Sequence, residues 1–175
     1  MAVRNNFAAG EVLLAADLND TFASKLDLAG GKILQITYGF DTSVRNTTST
    51  SYLDANVAVS ITPQKSNSVI LVVATFIAQM IPVSATTDVW GNVRITDSSN
   101  NPLSGSEEGV VGLFRFTYTA GATTWHPMTL VGRSTPASTS QQDYKLRFKS
   151  GNANNTLRLR NDTQTARMYA LEVSA

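Results

Sequence analysis

"VILVVATFIAQMI", residues 69–81, is the stretch on which the fold turns. It is too short for a membrane-spanning helix, which needs about 20 apolar residues. Its β-branched content and period-two reading make it a strand. One face carries Val69, Leu71, Val73, Thr75, Ile77, Gln79 and Ile81. The other carries Ile70, Val72, Ala74, Phe76, Ala78 and Met80. Both faces are apolar, whereas in an antiparallel sheet one face usually meets water. One face therefore builds a core and the other needs a cover. The expected cover is a second subunit, since exposed apolar patches of this size usually mark interfaces. Val69, Ile70, Leu71, Val72, Val73, Phe76, Ile77 and Met80 are then the expected interface residues. A loop, or an N-terminal helix of the same chain, is the alternative cover.

The rest of the chain from Ile33 follows the same period. Strands are expected near 33–40, 44–48, 55–61, 69–81, 89–96, 110–119, 125–132, 143–149, 156–161 and 166–173. Turn-rich clusters separate them: "TPQKSNS", "TDSSNNP", "TAGAT", "GRSTPASTSQQD" and "SGNANN". Many short strands without intervening helices predict a mainly β fold, an antiparallel β-sandwich or barrel. No fixed-period repeat is present, which excludes propellers and solenoids.

Composition agrees with this. Thr, Ser and Asn make up 51 of the 175 residues, and charged residues only 15%. Thr suits a pleated sheet, and Ser and Asn suit turns. Weak charge leaves little repulsion between copies. A net charge of +1 points to no nucleic-acid partner. There is no cysteine, so disulfides and thiolate chemistry drop out. "MAVRNNFAAG" carries no apolar signal-peptide core, and the expectation is an unprocessed, soluble protein made in the cytoplasm, without membrane insertion.

Residues 1–32 read differently. In "FAAGEVLLAADLNDTFASKL" (7–26), Leu14, Leu18, Phe22 and Leu26 recur every four residues, a narrow apolar stripe at helical period. About three turns are too few to stand alone in water, so the stripe must dock on something. Gly30 and Gly31 then break the helix. Residues 1–32 are thus expected to form a docking segment with one short helix, and residues 33–175 the β-sandwich domain.

The inventory for catalysis is thin. His126 is the sole histidine, in "TTWHPM", and no G-x-S-x-G elbow accompanies it. Glu107 and Glu108 are adjacent, so in a strand they point to opposite faces. Asp97, Ser99, Asn101 and Glu108 occupy positions 1, 3, 5 and 12 of an EF-hand-like loop, but Pro102 stands where that loop needs Gly. No enzyme activity, metal or cofactor is expected.

"DYKLRFKSGNANNTLRLRND" (143–162) reads as a hairpin. Lys145, Arg147, Lys149, Arg158 and Arg160 would then share one face, as a patch for an anionic ligand or as a solvated face.

Several phrases resemble bacteriophage tail-fibre and virion structural proteins. "AAGEVLLAADLNDTFASKL" is similar to their N-terminal segment. "TSTSYLDANVAVSITPQKSNSVILVVATFIAQM", "VWGNVRITDSSNNPL" and "ARMYALEVSA" are similar to a β-domain recurrent in them. The resemblance implies a homotrimeric jelly-roll head, like those of complement and tumour-necrosis-factor proteins, with an apolar strand on the threefold axis. It implies a virion component, a fibre or fibre head held by residues 1–32 as an attachment or trimerisation segment and contributing to host attachment. A capsid decoration protein that stabilises the head is the alternative. Implied partners are further copies, a tail adaptor or tube or the major capsid protein, and a host surface glycan.

Overall fold

Residues 69–82 form the long central strand around which the structure, a computed structural model, is built; it describes residues 31–83, 86–118 and 123–175. The ten strands are β1 (Ile33–Asp41), β2 (Arg45–Thr47), β3 (Leu53–Ile61), β4 (Val69–Pro82), β5 (Thr86–Asp97), β6 (Gly109–Tyr118), β7 (Thr124–Ser134), β8 (Gln142–Ser150), β9 (Asn155–Leu159) and β10 (Ala166–Val173). Each coincides with an expected strand to within a few residues. The expected helix with Leu14, Leu18, Phe22 and Leu26 lies outside the described residues.

The strands form two antiparallel sheets, and the fold is a β-sandwich. A six-stranded sheet runs β1-β10-β4-β9-β2, with β7 also on β4. A four-stranded sheet runs β3-β8-β5-β6. β4 is the spine: Ile70 to Met80 pair with β7 along one edge. Along the other edge, Val69 to Thr75 pair with β10 and Ala78 to Pro82 with β9. Pro127, which has no N–H to give a ladder, sits in the marginal strand β7, where its loss costs least.

Alternation decides what goes inside. Ile70, Val72, Ala74, Phe76, Ala78 and Met80 of β4 are buried. They meet Ala55, Val57, Val59 and Ile61 of β3, Tyr144, Leu146 and Phe148 of β8, and Val93 and Ile95 of β5. Each fully buried Val, Ile or Phe side chain stabilises by about 1.5–3 kcal/mol. Ile70, Val72, Phe76 and Met80 are therefore taken up by the chain's own core. This corrects their assignment to a subunit interface. Only the odd-numbered set of β4 is left facing outward.

The expected hairpin at 143–162 is also corrected. β8 pairs with β3 and β5 in one sheet, whereas β9 pairs with β4 and β2 in the other. The loop is an arch that crosses the sandwich. Leu146 and Phe148 point in from one side, and Leu157 and Leu159 from the other. The basic residues between them consequently turn outward on opposite faces.

One lateral margin is sealed by side chains. Gln35 Nε2 donates to the Thr62 carbonyl at 2.6 Å, and Thr37 Oγ1 to the Ser60 carbonyl at 2.9 Å. A Cβ at Gly39 would fall on the Ala58 carbonyl. Thus alternate residues of β1 cover alternate carbonyls of β3, and the third position must be glycine. At the nearby end, Glu172 is buried and clamps the β3–β4 loop. Its carboxylate accepts from Gln64 N–H at 2.8 Å, Lys65 N–H at 3.1 Å and Gln35 Nε2 at 2.6 Å.

Candidate interaction surfaces

The strand registers place four apolar residues side by side across the outer face of the six-stranded sheet. Tyr38 pairs with Tyr169, Tyr169 with Val73, and Val73 with Val131. A parallel row holds Ile36, Leu171 and Leu71 and ends on Arg133. Ile33, Val173 and Val69 extend the surface to one side; on the other, the row Phe40, Arg167, Thr75 and Thr129 separates it from Ile77 and Pro127. Up to four strands about 4.8 Å apart, over the five residues Val69 to Val73 of β4, give a footprint of roughly 300 Å². The largest exposed apolar patch of a monomer has about this size and is often functional.

Exposure grades across this surface. Val69, Leu71, Val73 and Ile77 on β4 are half-buried by their neighbours. The flanking strands are open: Ile36 is 57% exposed, Tyr38 67% and Phe40 60% on β1, and Val131 49% on β7. The Tyr38 and Tyr169 rings lie 6.2 Å apart, tilted by 37°. Of the eight interface residues expected from sequence, four lie here. Sequence reasoning missed Tyr38, Tyr169 and Val131, because nothing local tells which strands flank β4.

At the far end of the same face, Arg160 lies over the Trp125 ring at 4.6 Å. Asp162 holds its Nε at 3.0 Å, and Thr163 its second nitrogen at 3.1 Å. Arg158 Nε donates to Asn46 Oδ1 at 2.8 Å. Both arginines are thus engaged locally.

The outer face of the four-stranded sheet is charged. Lys145, Arg147 and Lys149 project from β8. Arg147 stands opposite Arg94 of β5 on one side and Asp54 of β3 on the other. Tyr52 lies beneath, with Arg94 3.8 Å and Lys149 4.7 Å from its ring centre. Arg147 also donates to the Tyr52 carbonyl at 2.7 Å. Burial pushes the Tyr52 hydroxyl above its usual pKa, and the Glu108 carboxylate adds to this while Arg94 opposes it. Glu108 lies 3.8 Å from Lys149. The five basic residues expected to form one patch therefore divide: three lie here, and Arg158 and Arg160 on the opposite side of the molecule. Arg94, not singled out from the sequence, joins the three.

The remaining candidates are structural. His126 on β7 faces the same side as Met128 and Leu130, its Nε2 3.0 Å from Thr124 Oγ1. Burial holds its pKa below the usual value. Asp97 is taken by its own turn, accepting from Asn101 N–H at 2.8 Å and Asn101 Nδ2 at 2.9 Å. Asn100 adopts φ of 69° there, a left-handed residue closing the β5–β6 loop. Among the described residues no three His, Asp or Glu side chains converge as metal ligands. None of their helices is long and apolar enough to cross a membrane.

No protein family and no curated protein matches this chain. Among solved structures it is weakly similar to the VP2 protein of infectious bursal disease virus, with 13% identity and a TM-score of 0.33. That match covers 79% of this chain and 36% of VP2. An arabinose-bound α-L-arabinofuranosidase matches at 9% identity and a TM-score of 0.33, over 90% of this chain and 24% of the enzyme. The CBM36-1 domain of a multidomain xylanase from the hindgut metagenome of Trinervitermes trinervoides matches at 12% identity and a TM-score of 0.27. It covers 81% of this chain and 98% of that domain. The chain spans about a third of VP2 and about a quarter of the arabinofuranosidase.

Proposed function

We propose that this protein is a self-assembling structural component of a bacteriophage virion, a trimeric fibre or fibre head whose work is binding and assembly rather than catalysis. The observation that carries the reading is the apolar row Tyr38–Tyr169–Val73–Val131 on the outer face of the six-stranded sheet. A row of this kind in water costs free energy that a second copy recovers. Three copies that turn this face toward a common axis bury β4 at the centre, with β1 and β7 against the neighbours. The low charge of the chain suits close approach of identical surfaces. The phage-like phrases in the sequence supply the particle, and the segment 1–32 supplies the attachment to it. In this arrangement the charged face of the four-stranded sheet points away from the axis.

Sedimentation equilibrium at micromolar concentration tests the assembly; the expected mass is three times that of the 18.8 kDa chain. A stable monomer overturns it. Immunogold labelling of purified particles tests the location. Label at the tail agrees with a fibre, label spread over the shell supports the capsid decoration alternative, and unlabelled particles overturn the virion assignment.

A further inference from the structure

Two guanidinium groups side by side on adjacent strands repel, and such like-charged pairs are normally selected against. Arg94 and Arg147 are such a pair, in direct register across β5 and β8. Neither is left to swing freely in solvent. The Arg94 guanidinium lies over the Tyr52 ring, 3.8 Å from its centre, and Arg147 is tied to the Tyr52 carbonyl at 2.7 Å. Tyr52 thus fixes both forks in place.

The surroundings are rich in unmet hydrogen bonding. Arg94 Nε, Arg147 Nε and Thr96 Oγ1, all able to donate, are shut from solvent without a hydrogen-bond partner among the described residues. Asn92 and Thr96 flank Arg94 on the same side of β5, opposite Lys149 and Lys145. Buried polar atoms without partners are rare and call for an explanation. The nearby carboxylates do not supply one. Asp54 accepts from Asn56 N–H at 2.7 Å, Asp143 from Gln141 Nε2 at 2.8 Å, and the exposed Glu108 lies 3.8 Å from Lys149.

We infer that Arg94 and Arg147, flanked by Lys145 and Lys149, form a binding site for an oxyanion, a phosphate or carboxylate group held between the two forks. Planar guanidinium forks match such oxygens two at a time, and a bound anion turns the repulsion between the arginines into shared attraction. Arg158 and Arg160 do not belong to the site, being engaged on the other sheet. The site does not depend on the number of copies in the assembly.

The test is the arginine Nε–H NMR signals of the full-length protein during titration with inorganic phosphate, and separately with acetate, at constant ionic strength with chloride. Saturable shifts at Arg94 and Arg147, with Arg158 and Arg160 unmoved, are expected for both anions, phosphate binding more tightly. Shifts with phosphate alone narrow the ligand to phosphate. Equal, unsaturated drift of all four signals means screening only and overturns the site. Arg94→Gln should abolish the saturable shift at Arg147; Arg94→Lys, which keeps charge but loses the fork, should weaken binding at least tenfold. Full affinity in the lysine variant overturns the two-fork geometry. Unchanged backbone spectra outside β5 and β8 verify that each variant is folded.

Discussion

The two outward faces of the sandwich are built by the same rule and end as opposites. On both, every second residue of a strand points away from the core. On the six-stranded sheet those residues include Ile36, Tyr38, Tyr169, Leu71, Val73 and Val131, with Arg133 and Arg167 at the borders of the apolar patch. On the four-stranded sheet they are Arg94, Lys145, Arg147 and Lys149, with Thr96 and Asn92 under their stems. Long cationic side chains cover sheet surface with their methylenes while keeping the charge in water. They also discourage another sheet from stacking there. Short β-branched and aromatic side chains do neither. The alternation therefore sets which residues face out, and their chemistry sets whether that face prefers water or another copy.

The comparison breaks most decisively through assembly. Leu71→Asp with Val73→Asp should leave a folded monomer under conditions where the wild type sediments as the proposed trimer, because buried unpaired carboxylates oppose association. Lys145→Glu with Lys149→Glu, on the other face, should leave the trimer intact. If both pairs dissociate it, or neither does, the two faces do not differ as described. Within β4 itself, Phe76→Ala should lower unfolding free energy by about 3–5 kcal/mol through a core cavity. In the monomeric Leu71/Val73 background, Ile77→Ala next to it should cost clearly less by chemical denaturation. Equal losses would mean the outer side of β4 is packed as tightly as the inner.

Two smaller effects concern the seam between the sheets. Gly39→Ala drives a methyl group into the Ala58 carbonyl, and overpacking of this kind costs about 1–3 kcal/mol. A thermal midpoint equal to wild type would show that β1 can lift from β3 without penalty. Glu172 gives a pH signature. Burial alone raises its pKa, but hydrogen bonds from Gln64 N–H, Gln35 and Lys65 N–H outweigh this, and the net shift is downward from 4.5. A carboxylate depressed on folding stabilises the protein above its unfolded pKa. That contribution fades as pH falls below about 4.5 and through the folded value. Glu172→Gln should therefore be less stable at neutral pH and lose less stability on acidification. A melting profile across pH 7 to 3 parallel to wild type would contradict this.

Much of the fold was legible in the sequence. All ten strands follow from period-two patterning and turn clusters, and the doubly apolar nature of 69–81 is real. Pairing was not legible. Tyr144, Leu146 and Phe148 read as one inward row and Leu157 with Leu159 as another, but alternation does not say which sheet each row belongs to. The four-residue Gly/Asn-rich loop 151–154 serves a hairpin and an arch equally, and the arch sends the basic rows to opposite sides. Likewise, nothing in the sequence singled out Arg94, and only the register with β8 brings it beside Arg147. Local pattern encodes facing, whereas neighbourhood depends on contacts distant in sequence.

The cover that β1 lays over β3 has a consequence for growth. An open strand edge invites another chain to add to the sheet, and repeated addition gives fibrils. Here the Ala58, Ser60 and Thr62 carbonyls are shielded or satisfied by Gly39, Thr37 and Gln35 of the same chain. Sheet extension from that margin is closed. In the assembly proposed above, copies meet face against face, and a contact that rotates back on itself yields a finite ring; the glycine at position 39 removes one route to growth without end.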